Sequence, residues 1–305
     1  MINEISKEYN NSKSKLFELS SEDYLKKDVE FLKKRRHFHY YNEIPYTRWP
    51  FYISEMLFFG IYFGLLSLNG FNYTGIISII SFIVMILAVS LWFYDLLNES
   101  MIFGKYNRKL RSVIVAGFML FLASEVFLFG GFFWAFFDRF FHTPAILGGS
   151  SVPMGMEVFV FYKKPLYATI ILLFSAITFN GVSYCMKWGS WTFAVAYSVF
   201  GLLLGCIFLV IQVSEYKHLS FNISDTVYGS CFYLLTGFHG FHVVVGLIFL
   251  TVQHERLVSW HFSRERHLGY SLAMIYWHFV DIVWIFLFIF VYVFNMLGYQ
   301  YFLYI

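Results

Sequence analysis

MLFFGIYFGLLSLNGFNYTGIISIISFIVMILAVSLWFY, residues 56–94, runs for 39 positions without an aspartate, glutamate, lysine or arginine. Crossing about 30 Å of hydrocarbon takes roughly 20 residues of helix, so the stretch is long enough for two crossings. Asn69, Gly70, Phe71 and Asn72 form a turn signal near its middle, and they predict two spans folded back on each other. The first span begins near Trp49 and Pro50.

Working outward, the same test finds five more spans. Residues 112–137 carry one charge, Glu125, and residues 165–186 and 188–214 carry none. Residues 226–254 are free of charge, and residues 268–305 hold only Asp281. The composition agrees: 59% of the residues are apolar and 13% charged, far from the mix of a soluble domain. The expected fold is therefore an all-α membrane protein with seven transmembrane helices.

Basic residues are retained on the inner side of a membrane. With seven spans, the N-terminal tail shares its side with Lys105, Arg108, Lys109, Arg111, Lys187, Arg256, Arg264 and Arg266, and the opposite loops hold Arg139, Lys163, Lys164 and Lys217. The bias predicts an inside N-terminus. Residues 1–48 are polar and lack the apolar core of a signal peptide. Leu16, Phe17, Leu19, Leu25, Val29 and Leu32 suit one face of short surface helices that pack on a neighbouring subunit. A partly disordered tail fits the same residues.

Function classes narrow in the same way. Cys185, Cys206 and Cys231 form no C-x-x-C pair and read as small apolar residues of a bundle. The net charge of +3 is small, with basic residues beside membrane ends. That pattern points to anionic lipid rather than nucleic acid. No internal repeat supports an inverted-repeat transporter.

A charge within a span is costly, which makes Glu125 and Asp281 candidates for function. No basic residue lies close to Glu125 in sequence, so desolvation favours the neutral acid. Such a group can relay a proton, bond across to another helix or face a polar part of a lipid. His278 precedes Asp281 by three residues, and on a helix the two are expected to pair. His239 and His242 are also three apart, the start of a metal or haem site. Zinc needs further ligands and a bis-histidine haem needs facing histidines on other spans, which the sequence does not supply. Gly240 between them suggests close helix approach instead. Trp92, Asp95, Glu99, Arg256 and His261 fall near the inner ends of spans two and six and suit a phospholipid headgroup or a generic interfacial belt. Catalytic, metal and cofactor ligands are expected to be absent from this chain.

Several longer motifs add a resemblance. They are Ser124-Glu-Val126 followed by Gly131-Phe-Phe-Trp-Ala-Phe136, Gln212-x-x-Glu215-Tyr216, Phe221-x-Ile-Ser-Asp225-x-x-Tyr228-Gly-Ser230, Thr236-Gly-Phe-His-Gly-x-His242 and Tyr276-Trp-His-Phe-Val-Asp281-x-Val-Trp284. In order and spacing the chain from about residue 49 to 295 resembles subunit III of cytochrome c oxidase. The resemblance implies a non-catalytic subunit of an enzyme that oxidises cytochrome c, reduces oxygen and moves protons, with haem a, haem a3 and copper held by subunits I and II. It divides the chain into a matrix-side tail (1–48), spans one and two (49–97) and a five-span bundle (98–305). A V-shaped cleft filled with phospholipid is implied between the last two parts.

By the same resemblance Glu125 matches an intramembrane carboxylate beside that cleft, and Trp92, Glu99 and Arg256 match positions near lipid headgroups. The implied role is to stabilise the core, support proton uptake and shape oxygen access. The resemblance also implies accessory oxidase subunits and other respiratory complexes as candidate partners. The chain departs from the family pattern at Tyr94 and Asn98, where arginines are common, and near Asn180-Gly181-Val182, where a histidine pair is common. Lys105, Arg108, Lys109 and Arg111 are candidates to replace the arginines. Its polar tail is also longer than usual. The 40 Phe and 23 Tyr against 10 Ala fit an A+T-rich genome, and together with the expected lack of a cleavable leader they favour the mitochondrial inner membrane over a bacterial plasma membrane. A quinol oxidase subunit is the nearest alternative. A stand-alone proton-coupled transporter centred on Glu125 and a haem-binding membrane cytochrome are alternatives of other classes.

Overall fold

The computed structural model describes residues 47–101, 108–142 and 162–294. Among the described residues there is no strand, and seven helices are long and apolar enough to cross a membrane. They are α1 (Trp49–Leu68), α2 (Thr74–Met101), α3 (Arg108–Phe141), α4 (Lys164–Trp188), α5 (Trp191–Tyr216), α6 (Val227–Val258) and α7 (Leu268–Leu287). A π-helical turn, Phe288–Val293, prolongs α7. The surface helices expected around Leu16 and Val29, the basic residue Lys105 and the end of the seventh span lie outside the described residues.

The helices outrun the charge-free stretches. α3 continues through Asp138 and Arg139, α5 through Glu215, and α6 through Glu255 and Arg256. Long polar side chains can reach the interface from a helix end, so the first charge does not stop the backbone ladder.

The chain divides into two compact units, with the boundary between Ile114 and Val115. In the first, α1 opens with Pro50, whose missing N–H costs nothing in a first turn. At the far end the Asn69 side-chain amide donates to the Leu65 carbonyl at 2.9 Å. Gly70 then takes φ +88°, a left-handed conformation that glycine adopts without strain. α1 and α2 pack through small residues. The Ser78 hydroxyl donates to the Gly60 carbonyl at 2.7 Å, and a Cβ on Gly75 would lie 2.8 Å from Ser67 Oγ. Such residues let backbones approach where lipid gives no hydrophobic drive between helices. Trp49 Nε1 donates to Asp95 Oδ2 at 2.8 Å and ties the open end of the hairpin.

In the second unit α4 packs on α5 and α7, and α6 packs on α5 and α7. Trp277 is the keystone of the core. Its indole N–H donates to Ser175 Oγ at 2.9 Å, and its ring is so close to α5 and α6 that a Cβ on Gly205 or Gly246 would stand 2.9 or 3.0 Å from it. One turn pair later, Trp284 donates to Thr169 Oγ1 at 2.9 Å. Both indoles are fully buried, and both have the partner that a buried N–H requires.

α3 is attached differently. Phe132 stacks on Phe238 at 5.0 Å, Phe137 meets Phe290 edge-on at 5.0 Å, and Phe136 lies 6.1 Å from Tyr228. A Cβ on Gly130 or Gly131 would meet nothing within 4 Å. Phenylalanine rings therefore hold the α3 backbone away from α6 and α7.

Candidate functional site

Glu125 lies in the long apolar stretch of α3, and the structure supplies the basic partner that its sequence neighbourhood lacks. His242 of α6 places Nε2 2.8 Å from Glu125 Oε2, although 117 residues separate them. The side chains are 8% exposed for His242 and 18% for Glu125. His242 Nδ1 is 2.6 Å from the carbonyl of Phe238, one turn earlier. A carbonyl only accepts, so Nδ1 carries a proton. One further proton is then shared across the Glu125 to His242 contact: a neutral acid donates to the imidazole, or an imidazolium donates to the carboxylate. The pair is neutral overall in both states, which is how it is tolerated in hydrocarbon. Of the three roles expected for Glu125, a bond across to another helix is the one observed. The Phe129 ring, 5.1 Å from the imidazole, borders the pair.

His239 is turned away from this contact. Its ring is fully buried, 5.0 Å from Trp284 and 5.8 Å from Phe208. Neither of its ring nitrogens has a partner among the described residues. The two histidines thus serve different neighbours. The close approach expected at Gly240 is not found: a Cβ there would meet nothing within 4 Å, and the tight positions of α6 are Gly229 and Gly246. The residues on either side of Gly240 look elsewhere: His239 packs on Phe208 of α5 and Trp284 of α7, and Phe241 is exposed.

The expected pairing of His278 with Asp281 is also not found. His278 Nε2 lies 3.0 Å from Asn180 Oδ1 on α4. Asp281 is buried, and its Oδ1 has no partner among the described residues. Positions three apart differ by about 60° around a helix. That angle turns Asp281 into the stripe of Trp277 and Trp284 and leaves His278 at the α4 border.

The headgroup-depth candidates fall into two sets. Trp92 and Glu99 are seven residues apart on one face of α2, and Asp95 between them is occupied by Trp49. In the other unit the guanidinium of Arg256 donates through Nη1 to Gln253 Oε1 at 3.0 Å and lies 4.6 Å from the centre of the Phe262 ring. Gly269 at the start of α7 makes room for it, since a Cβ there would be 2.7 Å from Nη1. His261 is exposed in the following turn.

From sequence, Glu215 has no role of its own beyond its place in the Gln212-x-x-Glu215-Tyr216 motif, because it marks the end of a charge-free stretch. It is buried in the last turn of α5 and accepts a hydrogen bond from Tyr292 at 3.3 Å. Tyr216 beside it donates to Thr236 Oγ1 at 2.6 Å. The available signal was the spacing of Gln212, Glu215 and Tyr216, which puts three polar groups on one side of a helix.

The family model described as cytochrome c oxidase subunit III matches residues 38–296. This chain belongs to that family. The cytochrome c oxidase subunit 3 of Trichophyton rubrum is 39% identical over 254 residues, covering 83% of this chain and 94% of the relative. That of Podospora anserina is 36% identical over the same shares, and that of the bird Coturnix japonica is 36% identical over 83% and 97%. Glu125, His239, His242, His278 and Asp281 all fall within the segment that matches the subunit III family.

Proposed function

We propose that this chain is a non-catalytic core subunit of cytochrome c oxidase in the mitochondrial inner membrane, with its N-terminus in the matrix. In this reading haem a, haem a3 and copper belong to subunits I and II, and the chain stabilises that core. It also binds phospholipid, including in the cleft that the family resemblance implies, and supports proton uptake and oxygen access. Oxygen is apolar and partitions into hydrocarbon, so lipid held against the protein is a physically reasonable reservoir.

The observation that carries the reading is the family match over residues 38–296, within which the second unit builds a neutral Glu125 to His242 pair. A group that shares one proton with its partner ties helices together. The contact supports a structural role for Glu125.

Mild-detergent purification through this chain tests the proposal. Co-purification with subunits I and II, haem a absorption and oxidation of cytochrome c are expected. Activity with quinol as the sole donor would move the chain to a quinol oxidase. A lone, colourless chain that conducts protons in liposomes would replace the subunit reading with a transporter.

A further inference from the structure

The outer surfaces of α5 and α6 are apolar where they are most exposed: Phe200, Leu203, Ile207 and Val210 on α5, and Phe241 and Ile248 on α6. Thr251 on α6 is exposed too, but its hydroxyl bonds its own helix at the Leu247 carbonyl, 2.7 Å away. The border of α4 and α7 is different. Asn180 is exposed, His278 is partly so, and the two are joined at 3.0 Å. Each lies at least about 12 Å along the axis from either end of its span.

A carboxamide offers one acceptor and two N–H donors. His278 uses the acceptor, and Asn180 Nδ2 makes no hydrogen bond among the described residues. Acyl chains cannot accept from it, and polar groups at this depth almost always face protein or a polar cavity. Around the pair, Ile177 and Tyr184 on α4 and Ile282 on α7 are exposed by 63%, 63% and 53%, which gives apolar shoulders on both sides.

We propose that this α4 and α7 face is the docking surface for a transmembrane helix of a neighbouring oxidase subunit. That helix presents a hydroxyl, side-chain carbonyl or backbone carbonyl oxygen to Asn180 Nδ2. The proposal rests on the reading that the chain works inside an oxidase.

Electron cryomicroscopy of the assembled oxidase tests it directly. An oxygen atom from a helix of another subunit is expected within about 3 Å of Asn180 Nδ2. An acyl chain, or no protein atom, over the pair overturns the proposal. As a second measurement, Asn180→Leu combined with His278→Leu is compared with the unaltered chain in purified oxidase. Removing interhelical hydrogen bonds of this kind is expected to speed loss of the chain in detergent about three- to tenfold, with Asn180→Gln restoring part of the retention. Unchanged retention in the double variant counts against the face. A chain that never accompanies the oxidase sinks the oxidase reading itself, and this inference with it.

Discussion

The α1–α2 hairpin and the bundle of the second unit show two ways of holding apolar helices together. Only 6% of the α1 span and 11% of the α2 span are buried within the structure, against 50% for α4 and 44% each for α6 and α7. In water such a hairpin would not persist. In a bilayer its exposed Phe, Ile and Leu side chains remain in an apolar solvent, and a few directed contacts suffice: Ser78 on the Gly60 carbonyl, Asn69 at the turn and Trp49 on Asp95. The bundle depends on shape instead, with Trp277 wedged against Gly205 and Gly246. α3, with 11% of its span buried, belongs to the second unit from Val115 onward but is joined to it by rings and one polar pair.

If shape holds the bundle, its most damaging change is a small one. Gly205→Val places new atoms where a Cβ alone would already lie 2.6 Å from Leu247 and 2.9 Å from Trp277. Overpacking of this kind is expected to cost about 3 kcal/mol, read as a lower thermal midpoint for unfolding of this chain in purified oxidase. A midpoint within a degree of the unaltered protein would remove the distinction between the two regions.

His242→Leu asks what α3 needs. It leaves Glu125 without its partner, and a loss of about 1–2 kcal/mol is expected for the α3 attachment. Increased protease cleavage on either side of α3 would report it, and an unchanged pattern would mean that the phenylalanine rings suffice. A smaller effect is expected in the hairpin. Trp49→Phe removes the bond to Asp95 and should cost about 0.6 kcal/mol, measured by how readily a cysteine pair at the open ends of α1 and α2 cross-links. Glu125→Gln should change least, below about 0.5 kcal/mol, because an amide of nearly the same shape still bonds to His242. Oxidase turnover in the assembled complex is expected to stay near its original value. Its near-complete loss would show that the shared proton matters for more than holding α3.

What was legible in the sequence follows from range. The seven spans come from hydropathy over 20-residue windows, a local property, and the 69–72 turn was readable for the same reason. Partners set by packing were not. His278 and Asp281 look like a pair because they are three apart, yet His278 finds Asn180, 98 residues away. Glu125 is isolated along the chain, and its partner lies 117 residues on. Gly240 matches a close-packing pattern, but whether a glycine meets a neighbour is set by how its helix is turned, and a Cβ there would meet nothing within 4 Å. Glu215 was hidden by the rule that found the spans, since a stretch defined by its lack of charge must end before the first one.

The turn between α4 and α5 has a consequence for how the chain is made. Only Gly189, at φ +81°, and Ser190 separate the two helices, and the Arg264 guanidinium occupies the space where a Cβ on Gly189 would stand. With only two residues between them, α4 and α5 run antiparallel side by side, and the two spans are expected to enter the bilayer together as one helical hairpin.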